Sequence, residues 1–157
     1  MRKYQIDSPQ ASARIVAVAL LADGALHQSE LDLLARHGTV ERLGMRPEEF
    51  DAVIHEFCDD MLKWAVLDDC GELELDEESI DAMLDEIRDR DLQKLLLRAI
   101  YEIAYADRRL SDGEAVLASQ AMGRWGMDLH EVGYAPRRQL PSMLPHVRRA
   151  TAIQATA

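Results

Sequence analysis

The sequence repeats itself once, and the repeat limits what the chain can become. Ala22-Asp23-Gly24-Ala25-Leu26-His27-Gln28-Ser29-Glu30 returns as Ala106-Asp107-Arg108-Arg109-Leu110-Ser111-Asp112-Gly113-Glu114. Both copies read Ala-Asp-x-x-Leu-x-x-x-Glu, and both follow an apolar run with helical spacing. Leu33 then falls on Leu117, and after a two-residue slip Gly44-Met45 falls on Gly126-Met127. Apolar helix, acidic turn, second helix and Gly-Met, occurring twice, point to two helical hairpins packed on one another. The expected fold is all-α: a compact bundle of about six main helices from two pseudo-repeated hairpins.

Local signals place those helices. Ser8-Pro9 is a helix start, because Ser can accept the free N–H groups of the first turn and Pro suits the first helical position. The run Ile15, Val16, Val18, Ala19, Leu20 is apolar nearly all round, so this helix should be central and buried, ending near Ala22. A second helix is expected from Gln28 to Leu43, closed by Gly44. A third opens at Pro47, with Phe50, Val53, Ile54, Phe57, Met61, Leu62 and Trp64 at helical spacing. Asp68 to Leu75 reads as a polar connection. Asp76 then caps a fourth helix whose inner face is Ile80, Met83, Leu84 and Ile87. Arg88 to Asp91 reads as a break, and Leu92 to Ala106 as the fifth helix. Ser111 with Glu114 forms a capping box for the sixth, with Val116, Leu117, Ala121 and Trp125 inward and Gly126 at its end. The expected organisation is a helical domain over residues 1–133 and a basic, Pro-containing tail over 134–157.

Charge is unevenly spread. The net charge is −11, and from Glu48 to Asp91 there are 18 acids against three bases. From Tyr134 onward there are four Arg and no acid. An acidic body repels nucleic-acid phosphates and favours cations or basic partners, so no nucleic acid is expected. The basic tail (Arg137, Arg138, Arg148, Arg149) leaves peripheral contact with anionic lipid open, although four Arg make a weak anchor alone. No apolar run approaches the roughly 20 residues of a membrane span. The apolar stretch after Met1-Arg2-Lys3 is broken by Asp7 and Arg14 and recurs internally, so it reads as structure rather than as a leader, and a cytoplasmic location is expected. Cys58 and Cys70 are the only cysteines; they lack a second pair for zinc and read as reduced thiols, with a disulfide left open.

The acidic turns carry the chemistry worth weighing. Hard divalent cations want several oxygen ligands, and carboxylates from two turns brought together could supply four. Asp23 also sits at a helix C-terminus, where the dipole disfavours an anion unless something compensates. The structural reading is that each Asp shapes its turn while each Glu completes a cap, and such signatures are the commoner case. Glu114 with Ser111 fits that reading well, whereas Glu30 follows His27, a weak cap. Neither turn has an EF-hand pattern, and the chain has no zinc-hydrolase or di-iron histidine motif. His55 and Cys58 share one face of a helix, but the apolar neighbours Phe57 and Met61 suit ordinary packing. No nucleophile elbow, phosphate loop or dinucleotide fingerprint is present, so no enzymatic activity is expected.

The segments Ala19–Gly38 ("ALLADGALHQSELDLLARHG") and Ile103–Met127 resemble the two copies of the acidic signature in the TerB-like helical domains of the tellurite-resistance family. The likeness covers roughly Ala13 to Met127. It implies a compact all-helical domain and a cation site from the acidic residues at the two turns: here Asp23, Glu30, Asp107 and Glu114. The cofactor implied is one divalent cation, Ca²⁺, Mg²⁺ or Mn²⁺. It further implies a non-enzymatic accessory protein of stress-response complexes, with a protein partner of unknown identity expected and a homo-oligomer left open. Arg108 departs from the pattern where the first copy has Gly24, and with Arg109 it would compete with a cation for Asp107. The rival reading is a protein-interaction module without metal; a small enzyme using His55 and Cys58 is the least supported.

Overall fold

The computed structural model describes residues 2–22, 26–64, 66–67, 73–74, 76–106, 111–128 and 130–133. These form α1 Pro9–Leu20, α2 Gln28–His37, α3 Thr39–Arg42, α4 Pro47–Trp64, a ribbon of β1 Val66–Leu67 and β2 Leu73–Glu74, α5 Glu77–Leu84, α6 Arg90–Ala104 and α7 Asp112–Trp125. The architecture is all-helical apart from that ribbon, in which Val66 pairs with Glu74 and Leu67 with Leu73, antiparallel. The tail 134–157 lies outside the described residues.

α1 is the axis. The Ser8 side chain accepts from Ala11 N at its start, and Pro9 occupies the first turn. Every residue from Ala11 to Leu20 is buried. A helix with apolar side chains on all faces loses them to the core only if neighbours surround it, and α4, α5, α6 and α7 all pack on α1. The core is continuous: Ile15, Val16 and Leu20 of α1 join Phe50, Val53 and Phe57 of α4, Leu96, Ile100 and Ile103 of α6, and Leu117 and Ala121 of α7. Trp125 closes one end, its indole N–H donating to Leu84 O at 3.2 Å. Among the described residues no helix is long and apolar enough to cross a membrane.

Several expectations change in detail. Among the described residues there are seven helices rather than six, because Gly38 takes a left-handed conformation (φ 60°) and splits the expected Gln28–Leu43 helix into α2 and α3. The break splits two short apolar faces and lets Leu34 and Val40 both reach the core. α1 stops at Leu20, and α6 begins at Arg90 because Asp89, inside the expected break, is its cap, accepting from Leu92 N at 2.8 Å. Leu62 is 77% exposed and Val116 44% exposed, so neither belongs to the inner face expected for it. The caps at Asp76 and Ser111 stand as read.

Candidate functional site

The C-terminal end of α1 meets the N-terminal end of α7 backbone to backbone. A Cβ added at Gly113 would lie 2.3 Å from the Ala22 carbonyl oxygen and 3.1 Å from its carbon. Only hydrogen fits there, since real Cβ atoms do not come that close to a carbonyl. Ala22, just past the end of α1, therefore lies directly against the first turn of α7. On the other side α2 packs on α6.

Glu30 and Glu114 hold the same place in their helices, the third residue after the cap. Both are buried, at 3% and 5% exposure. A carboxylate is rarely buried this far unless its charge is answered. At Glu114 part of the answer is local. Its Oε2 accepts from Ser111 N at 2.7 Å while Ser111 Oγ accepts from Glu114 N at 3.2 Å, a complete capping box. α2 starts differently: His27 occupies the cap position and its side chain makes no capping hydrogen bond. The expected asymmetry between the two copies is thus visible in their caps. Asp23 and Asp107, with Arg108 and Arg109, lie outside the described residues. Among the described residues, no three His, Cys, Asp or Glu side chains come together in a way that could hold a metal ion.

The other candidate pair is on α4. Cys58 is half-buried, and its thiol is pushed above its ordinary value, first by burial and then by the charge of Asp59. That direction opposes a thiolate at neutral pH. The His55 Nδ1 is 2.7 Å from the Asp51 carbonyl oxygen on its own helix. Cys70 lies outside the described residues.

Two features escaped the sequence reading. Gly113 looked like an ordinary residue after a cap, and its only signal was the Ser29 that stands in its place in the other copy. Arg14 looked like an interruption in an apolar run, yet it is 2% exposed and ion-paired to Glu86. Comparison of the chain with protein-family models, with curated proteins and with solved structures gives no match.

Proposed function

We propose that the protein is a non-enzymatic, TerB-like accessory protein that acts by binding partners over its helical surface and holds a divalent cation at its acidic helix-turn-helix junctions. The observation that carries this reading is the matched burial of Glu30 and Glu114, one at the head of each second helix. Two carboxylates below about one-tenth exposure need cations or several donors around them. The contact of Gly113 with Ala22 supports it further, since Asp23 follows Ala22 in the chain and Glu114 follows Gly113. A cation shared by carboxylates of both copies would then bridge them rather than sit within either turn. Such a bridge would fasten both hairpins together without chemistry on a substrate. The cation is of the hard class, Ca²⁺, Mg²⁺ or Mn²⁺, because the donors are all carboxylate oxygens.

The capping box at Glu114 favours a second reading for that copy, in which Glu114 is architectural and the site is carried by Asp23 and Glu30. Calorimetry with Ca²⁺, Mg²⁺ and Mn²⁺ tests both. Wild type should release or absorb heat with at least one ion. Asp23→Asn should weaken that binding more than Asp107→Asn. Absence of heat with all three ions leaves the interaction module without metal, and equal binding by the Asp23→Asn/Asp107→Asn double variant removes the site from these turns.

A further inference from the structure

Far from the turns, residues 2–7 lie across α4 and the junction of α5 with α6. They are held chiefly by polar contacts. Arg2 N donates to Asp60 Oδ2 at 2.9 Å, and Tyr4 N to Glu86 Oε1 at 3.3 Å. The Arg2 guanidinium is 2.5 Å from Glu56 Oε2, and the Tyr4 hydroxyl donates to the same carboxylate at 2.8 Å. Beneath them lies Arg14 of α1. One of its nitrogens donates to the Arg2 carbonyl and another to Glu86 Oε2, and the Tyr4 ring sits over the guanidinium, 4.9 Å from ring centroid to guanidinium carbon. The segment ends at Asp7, at φ 58°, whose N–H donates to Glu86 O at 2.8 Å and whose Oδ1 accepts from Arg88 N and Asp89 N.

This arrangement is a groove with an occupant. Its walls are Glu56 and Asp60 on one side and Glu86 on the other, and its floor is a buried cation. Three of its side chains read main-chain atoms of the segment: Asp60 takes an N–H, Arg14 a carbonyl, Glu86 another N–H. Among the described residues three side chains of the segment are engaged: Arg2 by the acidic wall, Tyr4 by the wall and floor together, and Asp7 by the Arg88 and Asp89 N–H groups at the end of the groove. Side-chain recognition of an extended backbone, with pockets for alternate side chains, is how proteins take up peptides. The occupant is loosely invested: Arg2, Lys3, Gln5, Ile6 and Asp7 are all exposed, and Tyr4 is half-buried. It is also an imperfect ligand. The Arg14 Nε–H is buried and has no hydrogen-bond acceptor among the described residues, so the floor keeps one donor that residues 2–7 do not use. A buried donor left without an acceptor is an opportunity for a ligand that supplies one.

We propose that this groove binds an extended peptide of a partner protein with Arg and Tyr two residues apart and an acceptor for Arg14 Nε, and that residues 2–7 occupy it in cis as a competitor. The proposal is independent of the cation reading, since it uses no residue of the acidic turns. The resident segment acts at the high effective concentration of a tethered ligand. It therefore lowers apparent affinity for any partner by the fraction of time the groove stands open.

The probe is an acetylated, amidated and fluorescently labelled peptide of residues 1–8 of this chain, used with the full-length protein. Arg2→Ala/Tyr4→Ala should free the groove and bind the peptide about tenfold or more tighter than wild type, with binding that weakens as salt is raised. Adding Glu56→Gln and Asp60→Asn to that variant should abolish the binding. Equal binding by wild type and the freed variant, retained binding after the wall carboxylates are removed, or equal binding of a scrambled peptide overturns the proposal. Unmodified protein gives a second measurement. Excess unlabelled peptide should speed hydrogen exchange at the Tyr4 and Asp7 amides, and unchanged exchange at saturating peptide overturns it. Concentration-dependent dimerisation of wild type that Arg2→Ala/Tyr4→Ala abolishes also overturns it, since the occupant is then a second copy.

Discussion

Gly113 has no unusual backbone angle, yet it is the position on α7 least able to carry a side chain. The obstacle is the Ala22 carbonyl oxygen, 2.3 Å from where a Cβ would sit. Backbone cannot swing aside as a flexible side chain can. Gly113→Ala should therefore destabilise the protein by roughly 1–3 kcal/mol, the range for overpacking, read from the midpoint of chemical denaturation. Gly123 on the same helix is the control. Nothing lies within 4 Å of its added Cβ. There the ordinary helix preference for Ala should prevail, and Gly123→Ala should stabilise by about 0.5–1 kcal/mol. Ser12 offers a third case. It is fully buried on α1, and its Oγ has no hydrogen-bond partner among the described residues. Ser12→Ala removes an unanswered hydroxyl and should raise stability by about 1 kcal/mol. A loss instead would show that the hydroxyl is satisfied by ordered water.

At the scale of elements, the helix starts were legible because a cap is a conversation between near neighbours. Ser8, Asp76 and Ser111 each accept from an N–H three residues on. Ser111→Ala should lose about 1 kcal/mol, typical of a cap, and should also free Glu114 from its reciprocal bond. What was illegible depends on distance. Nothing near Gly38 says whether it breaks a helix or merely weakens one; burial of Leu34 and Val40 on separate helices decides. Leu62 and Val116 fit the apolar spacing but face outward, because a helix can carry more apolar positions than its neighbours cover. The contacts of residues 2–7 with α4 and with the junction of α5 and α6 join positions 52 to 82 apart and leave no local trace. Of the candidate site, Glu30 and Glu114 were readable as a pair from the repeat, while their shared burial was not, since it is set by packing.

For the whole molecule, acid is the expected weakness. Asp76 is held below its ordinary value, first by the Ser79 N–H, and Asp85 by its hydrogen bond from Arg124, which ties α7 to α5. Glu56 is lowered first by the Tyr4 hydroxyl. Glu102 is raised by burial, but hydrogen bonds from His37 of α2 and from Arg98 outweigh this and leave it lowered. All four bind protons more weakly folded than unfolded. Their stabilisation is therefore complete above the ordinary carboxylate range, about pH 4–4.5, and is lost as pH falls through the lower folded values. Denaturation midpoints should be flat from about pH 7 to 5 and fall steeply below about 4. Asp85→Asn should reduce that acid dependence. The buried cation of α1 has a different consequence. A rod greased on every side has no front: Ile15, Val16 and Leu20 would seat almost as well after a twist about its long axis. Arg14, with Glu86 waiting on one side only, is the key that lets α1 enter its lock at one angle. Replacing both, by Arg14→Met with Glu86→Gln, should keep the helices and much of the stability but blur the orientation, visible as broadened and doubled side-chain resonances under an unchanged helical circular dichroism spectrum.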